Sequence, residues 1–226
     1  MKGIFVTGTD TGVGKTFISC IIAKALKKEG VNVGVMKPIE TGCKKRKDFL
    51  LPSDGISLKK SADVKDPLDL IVPYRFRAPL APFMAAELEG KKINILKIKK
   101  SCIKISANHD FIIIEGAGGL LVPITKSYTY MDLTKDLNLP VIIVAANKLG
   151  VINHLMLTLT CLKQNGITPL CVILNNIEHK KNLAQKTNLS ALQKLLKNLS
   201  ILEFSYNAAE KFEKQIIGIL CSRNLI

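Results

Sequence analysis

The residues richest in chemistry stand near the start of the chain. Gly8-Thr9-Asp10-Thr11-Gly12-Val13-Gly14-Lys15-Thr16 follows a short apolar run and opens a helical pattern. Glycines let successive backbone N–H groups converge on phosphate oxygens, a helix N-terminus adds positive potential, and a lysine here reaches terminal phosphates. The segment therefore reads as a phosphate-binding loop, with Lys15 as its cation and the Thr16 hydroxyl as a ligand for Mg²⁺. Its spacing departs from the strict pattern, which asks for Gly where Thr9 stands and finds Gly8 one residue early.

Two further groups stand at the ends of apolar runs. Residues 31–36 lead into Lys37-Pro38-Ile39-Glu40-Thr41-Gly42. A cation fixed there by a Lys-Pro step stabilises charge on a transferring phosphoryl group or holds a carboxylate. Phe111-Ile112-Ile113-Ile114 ends in Glu115-Gly116-Ala117-Gly118-Gly119. An acidic side chain at the tip of a buried strand beside a phosphate loop is the expected second metal anchor, because Mg²⁺ takes hard oxygen ligands. The small residues after it allow the backbone to approach a ligand closely.

These groups need a scaffold that brings strand tips together, and the patterning supplies one. Apolar runs rich in Ile and Val recur at residues 3–7, 31–36, 111–115, 140–145, 170–175 and 199–204. They are continuous rather than alternating, as strands covered on both faces are, and helical patterns at 16–28 and 152–165 separate several of them. The expected fold is α/β, a mostly parallel sheet flanked by helices in three layers, with ligands at the carboxyl edge of the strands. Residues 41–81 are Lys-, Asp- and Pro-rich with weak periodicity and read as a loop-rich insertion in a single domain spanning 1–226. Residues 190–199 carry an apolar stripe at helical spacing.

Composition narrows the function. With 47% hydrophobic and 23% charged residues, the chain is expected to fold rather than stay disordered. Its longest apolar stretch, 139–146, is far short of the ~20 residues that cross a bilayer. No membrane partner and no signal peptide are expected. Six cysteines lie far apart with no C-x-x-C pair, which fits reduced thiols in the cytoplasm. His109, His154 and His179 share no ligand spacing, so no zinc site is expected. The formal charge is +15, but the lysines fall in short clusters, such as Lys44-Lys45-Arg46-Lys47 and Lys180-Lys181, without interleaved aromatics. That distribution points to a solvated surface and a small anionic ligand rather than to nucleic acid.

Taken together, the segment from Gly8 to Thr16, Lys37-Pro38 with Thr41-Gly42, Glu115 to Gly119, and Lys148-Leu149-Gly150 with Asn153-His154 resemble the dethiobiotin synthetases, in the family's order from residue 2 to about 177. The resemblance implies a P-loop NTPase-like fold and an ATP-dependent cyclo-ligase of biotin biosynthesis. Such an enzyme closes the ureido ring of 7,8-diaminopelargonic acid with CO₂, through a carbamate and a carbamic-phosphoric anhydride, using Mg²⁺ with ATP as co-substrate, in a cytoplasmic homodimer. Carried over by position, Gly12, Val13, Gly14, Lys15, Thr16 and Phe17 would cradle the phosphates, with Gly116, Ala117 and Gly118 beside the nucleotide. Thr16, Asp54 and Glu115 would surround the metal, and Lys37 with Lys15 would be catalytic. Thr11 and Thr41 would bind the diamine, while Gly150, Val151 and Asn153 of a neighbouring subunit would receive its distant carboxylate. Asn175 and Asn176 would read the purine.

Three departures stand out: Glu115 replaces a commoner Asp, Asn176 replaces a usual Asp, and Leu202-Glu203-Phe204-Ser205-Tyr206 lacks the Gly and Pro of a nucleotide-contacting segment. The alternative is a partitioning or regulatory ATPase acting as a nucleotide-dependent switch. The related group of such proteins usually places a lysine early in the loop, where this chain has Asp10 and Thr11, and lacks the Lys-Pro and Glu-Gly-Ala-Gly-Gly pair.

Overall fold

The computed structural model describes residues 1–47, 49–177 and 182–226. His179 and the Lys180-Lys181 cluster lie outside the described residues. Along the chain come β1 (Gly3–Gly8), α1 (Lys15–Lys28), β2 (Val33–Met36), β3 (Ile39–Glu40), β4 (Lys44–Arg46) and β5 (Phe49–Leu51). Then follow α2 (Ser53–Ala62), α3 (Leu68–Ile71), β6 (Tyr74–Arg75), α4 (Pro82–Leu88), α5 (Ile95–Ser106) and β7 (Phe111–Glu115). The remainder holds β8 (Pro123–Thr125), β9 (Tyr128–Thr129), α6 (Tyr130–Leu137), β10 (Val141–Ala146), α7 (Val151–Gln164), β11 (Pro169–Asn175), α8 (Leu183–Leu195), β12 (Ile201–Phe204) and α9 (Ala209–Ser222).

Six of these strands form one parallel sheet in the order β12-β11-β10-β1-β7-β2. The apolar runs are continuous because both faces are covered, yet period two still sorts them. Ile4, Val6, Val35, Ile113, Ile142 and Val144 face one core with Ile18 and Ile22 of α1 and Phe212 and Ile216 of α9. Phe5, Met36, Ile112 and Ile114 face the opposite side with Ile98, Cys102 and Ile105 of α5. Val141, Ile143 and Ala145 meet Leu155 and Leu162 of α7 on that side. Each such aliphatic side chain contributes about 1.5–3 kcal/mol of burial. β1 lies between β10 and β7, so the strand order reverses around it, and the crevice beyond its carboxyl end is where ligands bind in open α/β sheets.

All six expected strands are present, with ends displaced by at most a few residues. The 190–199 stripe overlaps a helix only in part. The helix there is α8, which starts earlier, at a capping box in which Asn182 and Gln185 exchange side-chain-to-backbone hydrogen bonds of 3.0 and 2.7 Å. It stops when Leu196 leaves helical geometry (φ −120°, ψ 56°). Leu196 and Leu199 still pack on the core, so the apolar spacing runs past the helix into the turn that feeds β12. Within 41–81 the chain forms the antiparallel pair β4 and β5, then α2, which lies against α1. Among the described residues no helix is long and apolar enough to cross a membrane.

Candidate active site

The loop after β1 is set by its glycines and by one buried valine. Gly12 and Gly14 take left-handed conformations, with φ of 74° and 89°. Gly14 has a second reason to be glycine, since a Cβ there would lie 2.2 Å from Asn175 Nδ2. The Val13 side chain is buried in the core, and its carbonyl accepts a 3.0 Å hydrogen bond from that same amide. α1 therefore starts at Lys15 with its free N–H groups under the crevice. Lys15 is 6% exposed and donates to Asp10 O at 2.9 Å. Burial lowers its pKa from 10.5 to about 8, and the neighbouring Lys37 charge adds to the depression against the opposing Glu115, Asp54 and Asp10 carboxylates.

Lys37 and Glu115 meet because β2 and β7 are neighbours in register, with Met36 opposite Ile114. Lys37 Nζ lies 2.5 Å from Glu115 Oε1 and 2.9 Å from Asp54 Oδ2. Glu115 Oε1 also accepts from the Thr16 hydroxyl at 2.7 Å. Glu115 is fully buried, and its Oε2 has no hydrogen-bond partner among the described residues. Burial pulls the Lys37 pKa down, but the Glu115 and Asp54 charges and their hydrogen bonds outweigh it, so the ammonium persists beyond any physiological pH. For Asp54, burial pushes upward and is overcome by the Lys37 charge and by hydrogen bonds from Lys37 and Thr16, leaving its pKa below the usual value. Two carboxylates thus converge on one ammonium, and the Thr16 hydroxyl donates to the same Glu115 oxygen.

These groups share a cavity of about 400 Å³ that brings together Thr11, Gly12, Gly14, Lys15, Thr16, Phe17, Lys37, Thr41, Asp54, Glu115, Ala117 and Gly118. Asp54, invisible to periodicity, sits in the first turn of α2. Glu40 lines the same cavity, although its spacing in the sequence singled it out for nothing. Gly116 follows Glu115 directly, with its N–H bonded to Val6 O at 2.9 Å. Gly150, Val151 and Asn153 are not among the lining residues. They form the start of α7, where Gly150 takes φ 92° and no side chain caps the helix.

The flank toward β11 and β12 is built differently. Asn175 is tied to Val13 O by its Nδ2, as described. Asn176 has both ends of its amide engaged: Oδ1 accepts from Asn147 Nδ2 at 2.7 Å, and Nδ2 donates to Phe204 O at 2.9 Å and to Glu203 Oε1 at 3.1 Å. Asn188 Nδ2 extends this buried chain to Asn147 Oδ1 at 2.8 Å. Both polar ends of the Asn176 amide are thus engaged between strand ends. Next to it, Phe17 packs against Phe204 and Tyr206 at centroid distances of 5.2 and 5.4 Å, a cluster that residue spacing does not announce.

A family model described as an AAA domain matches residues 2–209. A curated relative from Thermodesulfovibrio yellowstonii, named ATP-dependent dethiobiotin synthetase BioD, is 43% identical over 202 residues, covering 86% of this chain and 84% of the relative. A relative of the same name from Endomicrobium trichonymphae is 40% identical over 219 residues, covering 95% and 97%. Among solved structures, a ParA family ATPase from Chlorobium tepidum TLS superposes with a TM-score of 0.52 at 17% identity, over 98% of this chain and 92% of that one. At that identity the likeness is one of fold, that of the P-loop NTPases.

Proposed function

The chain belongs to the ATP-dependent dethiobiotin synthetase family, and on that premise we propose that it closes the ureido ring of 7,8-diaminopelargonic acid with CO₂ at the expense of ATP. The observation that carries this reading is the Lys37 ammonium, held 2.5 and 2.9 Å from Glu115 and Asp54 in the cavity that Lys15 and Thr16 also line. In the proposed sequence one substrate amine takes up CO₂ and loses a proton to become a carbamate. A carbamate oxygen attacks the γ-phosphorus, the bond to the β-phosphate oxygen breaks, and ADP leaves. The second amine then attacks the carbonyl carbon of the mixed anhydride, phosphate departs with the bonding electrons, the attacking nitrogen releases its proton to the leaving phosphate or to water, and the ring is closed. No protein nucleophile is needed, only position and neutralised charge, which Lys15 and Lys37 supply.

Thr11 and Thr41 border the cavity and offer hydroxyls to the diamine. The donor set suits Mg²⁺: Thr16 Oγ1 and the Asp54 and Glu115 carboxylates are hard oxygens, and the orphaned Glu115 Oε2 is an acceptor awaiting a cation. Bound there with the triphosphate, the ion would neutralise charge building on the phosphate oxygens. Asn175 Oδ1 is the acceptor proposed to read the base, since its own Nδ2 is held by Val13 O.

The start of α7 would serve a second subunit, its uncapped amides receiving the distant carboxylate of the substrate bound next door. That assignment fits the absence of Gly150, Val151 and Asn153 from the cavity of their own chain. The enzyme is accordingly read as a cytoplasmic homodimer.

The test is product formation with ATP, Mg²⁺, bicarbonate and the diamine. Dethiobiotin and ADP are expected in equal amounts, with ATP hydrolysis coupled to the diamine. ATP turnover indifferent to the diamine and stimulated by DNA or lipid would overturn the assignment in favour of a switch ATPase.

A further inference from the structure

Asp54 reaches Lys37 only if the first turn of α2 is held in place, and that turn has no cap of its own. The residue before it is Pro52, which has no side-chain acceptor, and no side-chain cap hydrogen bond is made from that position. The first N–H groups of a helix have no partner within the helix and must be satisfied from outside. Here they are satisfied by a residue from another element. Glu40, the last residue of β3, is 4% exposed. Its Oε1 accepts from Asp54 N at 3.0 Å and from Ser53 Oγ at 3.3 Å, and its Oε2 accepts from Gly55 N at 2.9 Å.

The approach is close. A Cβ on Gly55 would fall 2.1 Å from Val72 Cγ2, so a side chain there would force the turn or Val72 to shift. Glu40 is itself fixed by β3 pairing with β6 and by Phe76 N donating to its carbonyl at 2.9 Å. The placement also sets one carboxylate beside another, which is unfavourable unless the amides and the helix dipole compensate.

We infer that Glu40 is the positioning residue for Asp54: by capping α2 across the fold it fixes the Asp54 carboxylate against Lys37 and Glu115, and so sets the affinity of the site for its divalent cation. The inference rests on the reading of Asp54 as a metal ligand. Glu40 itself touches neither substrate nor nucleotide in this role. Groups that orient a ligating carboxylate are typically worth ten- to a hundredfold in metal affinity.

The experiment titrates Mn²⁺ into the full chain with ADP bound, read by electron paramagnetic resonance, and separately titrates ADP without metal. Glu40→Ala is expected to weaken Mn²⁺ binding by about ten- to a hundredfold. Glu40→Gln, which keeps one acceptor oxygen, should weaken it less, and metal-free ADP affinity should stay as in the native chain. On an Asp54→Asn background Glu40→Ala should bring no further loss, because the two act as one unit.

Native Mn²⁺ affinity in either folded variant would overturn the inference. So would an equal loss with and without Asp54, or an equal loss of metal-free ADP binding. Should Glu40→Ala fail to fold, Glu40→Gln decides by the same criteria. Neither titration requires turnover, so failure of the native chain to make dethiobiotin would remove the proposed reaction and leave this result standing.

Discussion

The two flanks of the phosphate loop solve the same problem, holding a ligand at strand tips, by opposite means. Toward β2 and β7 the fold buries an ammonium against two carboxylates, one of which also accepts from a hydroxyl. Toward β11 and β12 it uses amides that bond to one another and aromatic rings packed against each other. Buried charge is costly unless paired, so the first flank is tolerated only as a complete set. The second is a support whose parts are individually cheap. The charged flank should therefore fail all at once, and the amide flank by degrees.

Lys37→Ala is the largest break. It leaves the fully buried Glu115 carboxylate without its cation, and removing one member of such a pair typically costs about 3–5 kcal/mol. Ring closure should fall by about a thousandfold or more, the upper range for losing a group that stabilises transition-state charge, while ADP still binds. Adding Glu115→Gln should recover stability but not activity. Urea unfolding and a product assay on both variants check this. Native-like product formation by Lys37→Ala would remove Lys37 from the chemistry.

Lys15 tests the same flank with opposite sign. Its folded pKa of about 8 lies below the ordinary 10.5. The unfolded chain therefore binds the proton more tightly, the penalty is full below pH 8, and stability rises as pH climbs from 8 toward 10.5. Lys15→Met should gain on the order of 3 kcal/mol at pH 7, lose that rise with pH, and bind ATP poorly. Thermal melts across the pH range decide it. A melting midpoint at pH 7 below that of the native chain would show that the lysine is not held at a cost.

The contrast also explains what could be seen beforehand. Strands buried on both faces leave continuous Ile and Val runs, so the sheet was legible, and phosphate chemistry admits few residue types, so Lys15, Lys37 and Glu115 stood out at strand ends. Asp54 did not stand out by residue pattern and came only from the family resemblance, and Glu40 came from neither. They lie on α2 and β3, whose meeting is a matter of chain folding between residues 37 and 72, and neither has a sequence neighbour that demands it. The local pattern holds only a negative signal: Pro52-Ser53-Asp54 begins a helix after a proline that cannot cap it. The 190–199 stripe does not mark the extent of α8, because an apolar stripe records burial, and burial continues where the helix stops. Tyr206, just after β12, and Phe17 of α1 come together, a pairing that no local pattern encodes.

The smallest effects separate the two asparagines. Asn176→Ala would leave Asn147 Nδ2, among the described residues, with only Gln185 O and remove a bond to Phe204 O, costing about 1–3 kcal/mol of stability with little change in KM for ATP. Asn175→Ala should do the reverse. Losing the proposed contact to the base and the tether on Val13 O should raise KM for ATP by about two- to tenfold, the worth of one hydrogen bond, with a modest loss of stability. Urea midpoints and ATP saturation curves on the two variants read both quantities. If Asn176→Ala instead raises KM as much as Asn175→Ala and leaves the midpoint in place, the amide flank reads the base with both residues, and the division between a reacting flank and a supporting one no longer holds.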